Sequence, residues 1–181
     1  MTVTETQLQG CYIIEPKVFE DQRGYFFETF NQNRFNELIE QKVNFVQDNE
    51  SASSKGVLRG LHYQTGEYAQ AKLVRVIKGK VLDIAIDLRE NSKTYGKHVA
   101  IELSESNKKQ LFVPRGFAHG FIVLSETAIF SYKCDNYYNK DSEGGIIYND
   151  KSLNIDWQLP ESQFIISEKD LELPTFENAR R

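Results

Sequence analysis

The sequence predicts an all-β fold, an antiparallel sandwich or jelly-roll barrel, from three observations. Short segments rich in β-branched and aromatic residues recur along most of the chain, mostly bounded by turn residues. Nowhere do strand and helix patterns alternate as a parallel βαβ sheet requires. One segment, Val81–Leu88, has a clear period of two. It sets Leu82, Ile84, Ile86 and Leu88 on one face and Val81, Asp83, Ala85 and Asp87 on the other.

In chain order the expected strands are Cys11–Ile14 (CYII), Gly24–Phe30 (GYFFETF), Val57–Tyr63 (VLRGLHY) and Lys72–Lys78 (KLVRVIK). Then come Val81–Leu88 (VLDIAIDL), His98–Leu103 (HVAIEL), Lys109–Val113 (KQLFV), Gly120–Leu124 (GFIVL) and Ala128–Lys133 (AIFSYK). A helix is expected over Arg34–Gln41, where Phe35, Leu38 and Ile39 fall at i, i+3 and i+4. Ser167 opens S-E-K-D, a capping box that predicts a second short helix before Pro174. With no internal repeat, low-complexity tract or linker, the expectation is one domain over 1–181. Its N-terminal extension covers about 1–20 and its C-terminal tail about 160–181.

Composition narrows the function classes. Hydrophobic residues make up 40% of the 181 and aromatic residues 12%, with charges of both signs dispersed, as in an ordinary globular protein. A net charge of −4 argues against a nucleic-acid partner, so any anion site must be a local basic cluster. No apolar run reaches membrane-spanning length, and the best, Val81–Leu88, holds two aspartates. The start MTVTETQLQG has neither the basic nor the apolar region of a signal peptide. Cys11 and Cys134 form no C-x-x-C and are expected to be reduced core residues of a cytoplasmic protein, with a disulfide between them as the second reading.

The chemistry concentrates around GVLRGLHYQ, Gly56–Gln64. Lys72 lies ten residues after His62, and six residues separate it from Gly79; Pro114–His119 reads P-x-G-x-x-H. These patterns resemble the two signatures of a cupin barrel. A metal-binding cupin has H-x-H, then Glu, six residues and Gly; here Gln64 replaces the second His and Lys72 the Glu. An ammonium repels a divalent cation, so the site reads as one for proton chemistry on an organic anion, with no metal. The lack of G-x-G-x-x-G agrees with a reaction that needs no redox cofactor.

Individual residues leave some roles open. His98 follows Lys97 in a charged strand and is expected to be a solvated surface residue, whereas His62 and His119 sit in apolar settings. Arg59 and His62 have opposite strand parity, so they share one site only if the strand bulges or bends at Gly60. Arg23 and Arg59 suit a phosphate or pyrophosphate, or are ordinary surface arginines. Phe19, Tyr25, Phe26, Phe27, Tyr137 and Tyr138 are either core or a surface on which a base stacks. Asp170 is the third helical residue of a capping box, or a carboxylate that orients an imidazole.

Over nearly the whole chain, from about Ile14 to Pro174, longer motifs add to this picture. R-G-Y-F-F-E, Q-D-N at Gln47–Asn49, G-V-L-R-G-L-H-Y-Q, P-R-G-F-A-H-G-F, Y-K-C-D-N-Y-Y and N-D-K-S-L-N-I-D-W resemble the dTDP-4-dehydrorhamnose 3,5-epimerase family. The resemblance implies a metal-free cupin jelly roll acting on a nucleotide sugar, dTDP-4-dehydro-6-deoxy-D-glucose. The implied assembly is a homodimer that exchanges N-terminal strands. It also implies His62 as general base with Asp170 as its partner, Lys72 facing the C4 carbonyl oxygen, and Tyr132 as general acid across the sugar ring. Implied substrate-binding positions are Arg23, Glu28, Gln47, Asp48, Asn49, Arg59, Lys72, His119, Glu143 and Lys169, with Tyr138 stacking on thymine. One local departure stands out: the segment from Trp157 to Asp170 is about one residue longer than the family pattern.

Those residue types fit the reaction. A C–H beside a ketone is acidic only if the resulting enolate is stabilised, and Lys72 supplies positive charge for it. Neutral imidazole is a suitable base near pH 7. Inversion needs a second group on the opposite face, and strand parity puts Tyr132 with Ala128 and Phe130 on an interior face. The sequence leaves three alternatives open: an enzyme that stops after C3 or moves the carbonyl, a metal-dependent cupin, and a non-catalytic nucleotide-sugar-binding cupin.

Overall fold

A computed structural model of the protein describes residues 1–180. Its elements are β1 (Thr2–Glu5), β2 (Tyr12–Glu15), β3 (Phe19–Asp21), β4 (Gly24–Phe26), α1 (Gln32–Leu38), β5 (Gln47–Ser54), β6 (Leu58–Gln64) and β7 (Lys72–Lys78). They continue as β8 (Lys80–Asp87), β9 (His98–Ser104), β10 (Gln110–Val113), β11 (Phe117–Val123), β12 (Thr127–Cys134), β13 (Glu143–Gly145) and α2 (Glu168–Leu171). One sheet runs β1-β2-β10-β7-β12-β5, the other β13-β6-β11-β8-β9, and β3 pairs with β4 in a separate hairpin. All of these pairings are antiparallel. Val74, Val76 and Phe130 from the first sheet pack in one cluster with Val81, Ala85 and Phe121 from the second. The two sheets thus close a cupin-like jelly roll around a shared interior.

The fold explains why β8 can carry two aspartates. Both of its faces are covered, so its period of two does not separate wet from dry. Val81 and Ala85 point into the barrel, while Leu82, Ile84 and Ile86 join a second cluster with Leu153 and Trp157. Full burial of each of those three aliphatic side chains contributes about 1.5–3 kcal/mol, which offsets the cost of the buried carboxylates opposite. The C-terminal segment covers this far face: Ile165 exchanges backbone hydrogen bonds with Gly56 and Leu58 at 2.9 and 3.0 Å.

Asp87 is fully buried and accepts from Arg89 Nε and Nη2, Ser92 Oγ and Thr94 Oγ1 at 2.6–2.8 Å. Burial pushes its carboxyl up, but these bonds outweigh burial and hold it at about 2. Arg89 Nη2 also donates to the Gln9 carbonyl, which anchors the N-terminal turn to the barrel.

Several expectations needed adjustment. α1 begins at Gln32, two residues before Arg34, because Asn31 caps it by accepting from the Arg34 N–H at 3.1 Å. Phe35 and Ile39 are buried, but Leu38 is exposed, so the apolar stripe is narrower than the spacing suggested. His98 is half-buried rather than solvated: the N-terminal turn lies against it, Gln7 Nε2 donating to its carbonyl at 3.0 Å. Burial lowers the pKa of its imidazole. Cys11 and Cys134 are buried and free, as expected, with burial pushing their thiols up to about 12 and about 11. No helix among the described residues is long and apolar enough to cross a membrane.

Candidate active site

The site begins with the irregularity that parity required in β6. Between the pairs His119–His62 and Phe121–Arg59, β11 advances two residues and β6 three, so β6 carries a bulge at Gly60–Leu61. The Gly60–Leu61 peptide is cis. Here the two backbones touch. A Cβ on Gly60, whose φ is +131°, would lie 2.6 Å from Gly120 Cα; one on Gly120 would lie 2.7 Å from the Arg59 carbonyl oxygen. Only glycine fits at both positions. The bulge turns Arg59 and His62 toward one cavity.

His62 Nε2 lies 2.7 Å from Asp170 Oδ1, and the Gly60 N–H donates to Asp170 Oδ2 at 3.4 Å. Ser167 caps α2 by accepting from the Asp170 N–H at 3.2 Å. The Asp170 carboxylate does not reach back to the Ser167 backbone N–H as a capping box would have it; it is turned to the imidazole. The longer segment before it does not prevent this contact. Burial pushes the Asp170 carboxyl up, but the bonds from His62, Gly60 and Ser167 outweigh it and hold it below the usual carboxylate range. The His62 side chain keeps 33% of its surface exposed, so a ligand can reach it.

A second His–Asp pair stands across the strand. His119 Nε2 lies 3.0 Å from both oxygens of Asp83, and both residues are buried. Sequence reading did not single out Asp83. The available signal was a carboxylate among Val81 and Ala85, and it became readable only once that face proved to be the barrel interior. Burial pushes the Asp83 carboxyl up, against the pull of His119 and Lys72. Burial likewise pushes the Lys72 ammonium down, opposed by Cys134, Asp83 and Glu143. His62 and His119 thus each face a carboxylate, with a lysine nearby. No group of three or more His, Cys, Asp and Glu side chains able to hold a metal ion occurs among the described residues.

The cavity has two lobes. One, of about 590 Å³, is lined by Arg59, His62, Lys72, His119, Tyr132 and Lys169, with Phe121 and Phe130 stacked at 4.2 Å in its wall. The other, of about 380 Å³, is lined by Gln47, Asn49, Gln64, Cys134, Tyr138 and Glu143. His62, Lys72 and Tyr132 line both lobes. His62 comes from the five-stranded sheet, whereas Lys72 and Tyr132 come from the six-stranded one, so the imidazole and the phenol stand on opposing walls. Burial raises the Tyr132 phenol, and Cys134 adds to this against the pull of Arg59. Arg59 makes no ion pair among the described residues; its Nε donates to Ser53 Oγ at 3.2 Å. At the rim, Glu143 Oε2 accepts from Lys169 Nζ at 2.7 Å and from the Tyr138 hydroxyl at 3.2 Å. Burial pushes the Glu143 carboxyl up, but these bonds more than compensate and hold it low.

Three expected binding residues do not reach this cavity. Arg23 sits at the tip of the β3–β4 hairpin, 85% exposed and paired with Asp21. Glu28 pairs with Arg34 at 2.8 Å and accepts from Asn31. Asp48 is turned to the outer face of its sheet, 2.9 Å from Lys133 Nζ, because strand alternation sends only its neighbours Gln47 and Asn49 inward. Ser51 of β5 does line the cavity and had not been anticipated.

Residues 5–178 match the family described as dTDP-4-dehydrorhamnose 3,5-epimerase. The chain is 53% identical over 182 residues to the enzyme of that name from Salmonella typhimurium, covering 99% of this chain and 97% of the relative. It is similar to the crystal structure of the Elizabethkingia anophelis enzyme of the same name. That match has a TM-score of 0.95 and 60% identity, over 98% of this chain and 97% of the other. A third match is dTDP-6-deoxy-D-glucose-3,5-epimerase from Legionella pneumophila in complex with dTDP-4-keto-L-rhamnose. Its TM-score is 0.94 with 48% identity, over 98% of this chain and 93% of the other.

Proposed function

The chain belongs to the dTDP-4-dehydrorhamnose 3,5-epimerase family, and on that premise we propose which of its groups carry the reaction. The substrate is dTDP-4-dehydro-6-deoxy-D-glucose, inverted at C3 and C5 to give dTDP-4-dehydro-L-rhamnose. His62, held by Asp170, takes the proton from the carbon beside the C4 ketone. The C–H electron pair moves into an enolate whose negative oxygen is stabilised by the Lys72 ammonium. Tyr132 returns a proton to the opposite face, at C5 as the sole donor and at C3 in competition with water. His62 then gives its proton to solvent, Tyr132 takes one up from it, and a second cycle treats the other neighbour of the ketone. Atoms and charge balance without a redox partner.

The observation that carries this reading is the opposed placement of His62 and Tyr132 on the two sheets, with Lys72 beside them where the lobes meet. A ring held between those walls presents one face to a base and the other to an acid. Arg59, unpaired by acid, suits a diphosphate, and the second lobe with Tyr138 suits the base. The test is Tyr132→Phe in D₂O. Deuterium entry at C5 is expected to fall at least about tenfold more than entry at C3, the order of a lost general acid. Equal loss at both positions would remove Tyr132 from the role of acid.

The active assembly in this reading is a homodimer that exchanges its N-terminal strands. Supporting it, the hairpin that carries Arg23 is unusually apolar for an exposed element, with Phe19, Tyr25 and Phe26 between 55% and 70% exposed. Arg23 and Glu28 then serve the cavity of the neighbouring subunit. Arg23→Ala and His62→Ala homodimers should each be impaired, while co-expressed heterodimers regain activity in the cavity that combines the intact residues. No recovery in purified heterodimers would place Arg23 elsewhere. Two buried, free cysteines support a reducing, cytoplasmic location.

A further inference from the structure

Gln64 stands where a metal-binding cupin has the second histidine of H-x-H, and its amide has found other partners. It is buried at the end of β6. Its Nε2 donates to the carbonyl oxygens of Tyr68 at 2.6 Å and Tyr137 at 3.1 Å, and its Oε1 accepts from the Asn139 N–H at 2.7 Å. The Tyr137 carbonyl belongs to the peptide before Tyr138, and the Asn139 N–H to the peptide after it. One side chain therefore holds both peptide planes that flank Tyr138, and with them its φ and ψ. A carboxamide is the side-chain head that offers two donors and an acceptor together, and asparagine is one methylene too short to substitute here.

Tyr138 has little else to hold it. It is 57% exposed, and its own bonds are the hydroxyl to Glu143 and the N–H to Gln47 Oε1 at 3.3 Å. We propose that Gln64 is a positioning residue for ligand binding: it presets Tyr138 as an aromatic platform at the second lobe for a planar base. The proposal rests on reading that lobe as the nucleotide subsite. Without Gln64 the loop has to be ordered by the ligand itself, and affinity falls by that ordering cost. The position given up as a metal ligand has become the clamp of the binding loop.

The test is a double-mutant cycle on dTDP affinity, measured calorimetrically with Gln64→Met, Tyr138→Ala and the double variant, alongside steady-state kinetics. Gln64→Met and Tyr138→Ala should each weaken dTDP by about tenfold, the scale of one base–aromatic stack. The double variant should be no weaker than Tyr138→Ala alone. The Gln64→Met loss should fall mainly in KM rather than kcat, and exchange of the Asn139 amide should accelerate. Additive losses, or unchanged affinity in Gln64→Met, would overturn the proposal while leaving the nucleotide subsite standing. An unaffected Tyr138→Ala would instead show that the platform reading of Tyr138 fails, and the proposal with it. If Gln64→Met does not fold, Gln64→Glu keeps the acceptor, loses both donors and carries the same test.

Discussion

His62→Ala is expected to lower kcat by about 10³-fold, within the range for removal of a general base, while dTDP affinity changes by less than about threefold. The asymmetry follows from geometry. His62 has one ring nitrogen committed to Asp170, so the other is the only one available to a substrate, and it lies where the lobes meet rather than deep in either. Removing the ring deletes the proton acceptor but none of the groups assigned to the diphosphate or base. Turnover within about tenfold of wild type would mean that the proton leaves to another group. His119 would be the first suspect, since Asp83 holds it in a similar way.

The second large effect is expected at Lys72. Lys72→Met keeps the length and apolar stem but removes the charge, and should lower kcat by about 10²–10³-fold, as when one donor to a developing oxyanion is lost. The pH profile gives an independent signature. Burial depresses the Lys72 ammonium, so as pH rises it loses its proton earlier than an ordinary lysine does. The alkaline limb of kcat should therefore lie below the usual lysine range, and it should vanish in Lys72→Met. A limb that survives in the variant would belong to another group, such as Tyr132, whose phenol is shifted upward instead. Steady-state rates across pH for both proteins decide between them.

How much of this was legible depended on whether a residue's meaning is local. Strands such as Lys72–Lys78 announced themselves because β-branched and other apolar residues crowd them, as Leu73, Val74, Val76 and Ile77 do here. β5, QDNESASS, has no apolar face, because it is an edge strand with one side in solvent and the other lining a polar cavity. It was invisible for that reason, although it carries Gln47 and Asn49. The need for a bend at Gly60 could be argued from parity, whereas its form depends on Gly120 in another strand. Asp83 looked like half of an alternating pattern until the C-terminal segment covered the far side of β8 and made both faces interior. Arg23, Glu28 and Asp48 mark the opposite limit. Family motifs assign them to binding, but within one chain each is paired with a local partner outside the cavity.

The central claim is that protons beside the C4 ketone leave and return at two carbons, through His62 and the group facing it. Turnover of dTDP-4-dehydro-6-deoxy-D-glucose by the wild-type protein in D₂O, with the product read by NMR and mass spectrometry, tests this most directly. The prediction is deuterium at both C3 and C5 of the product. Deuterium at C3 alone would contradict it.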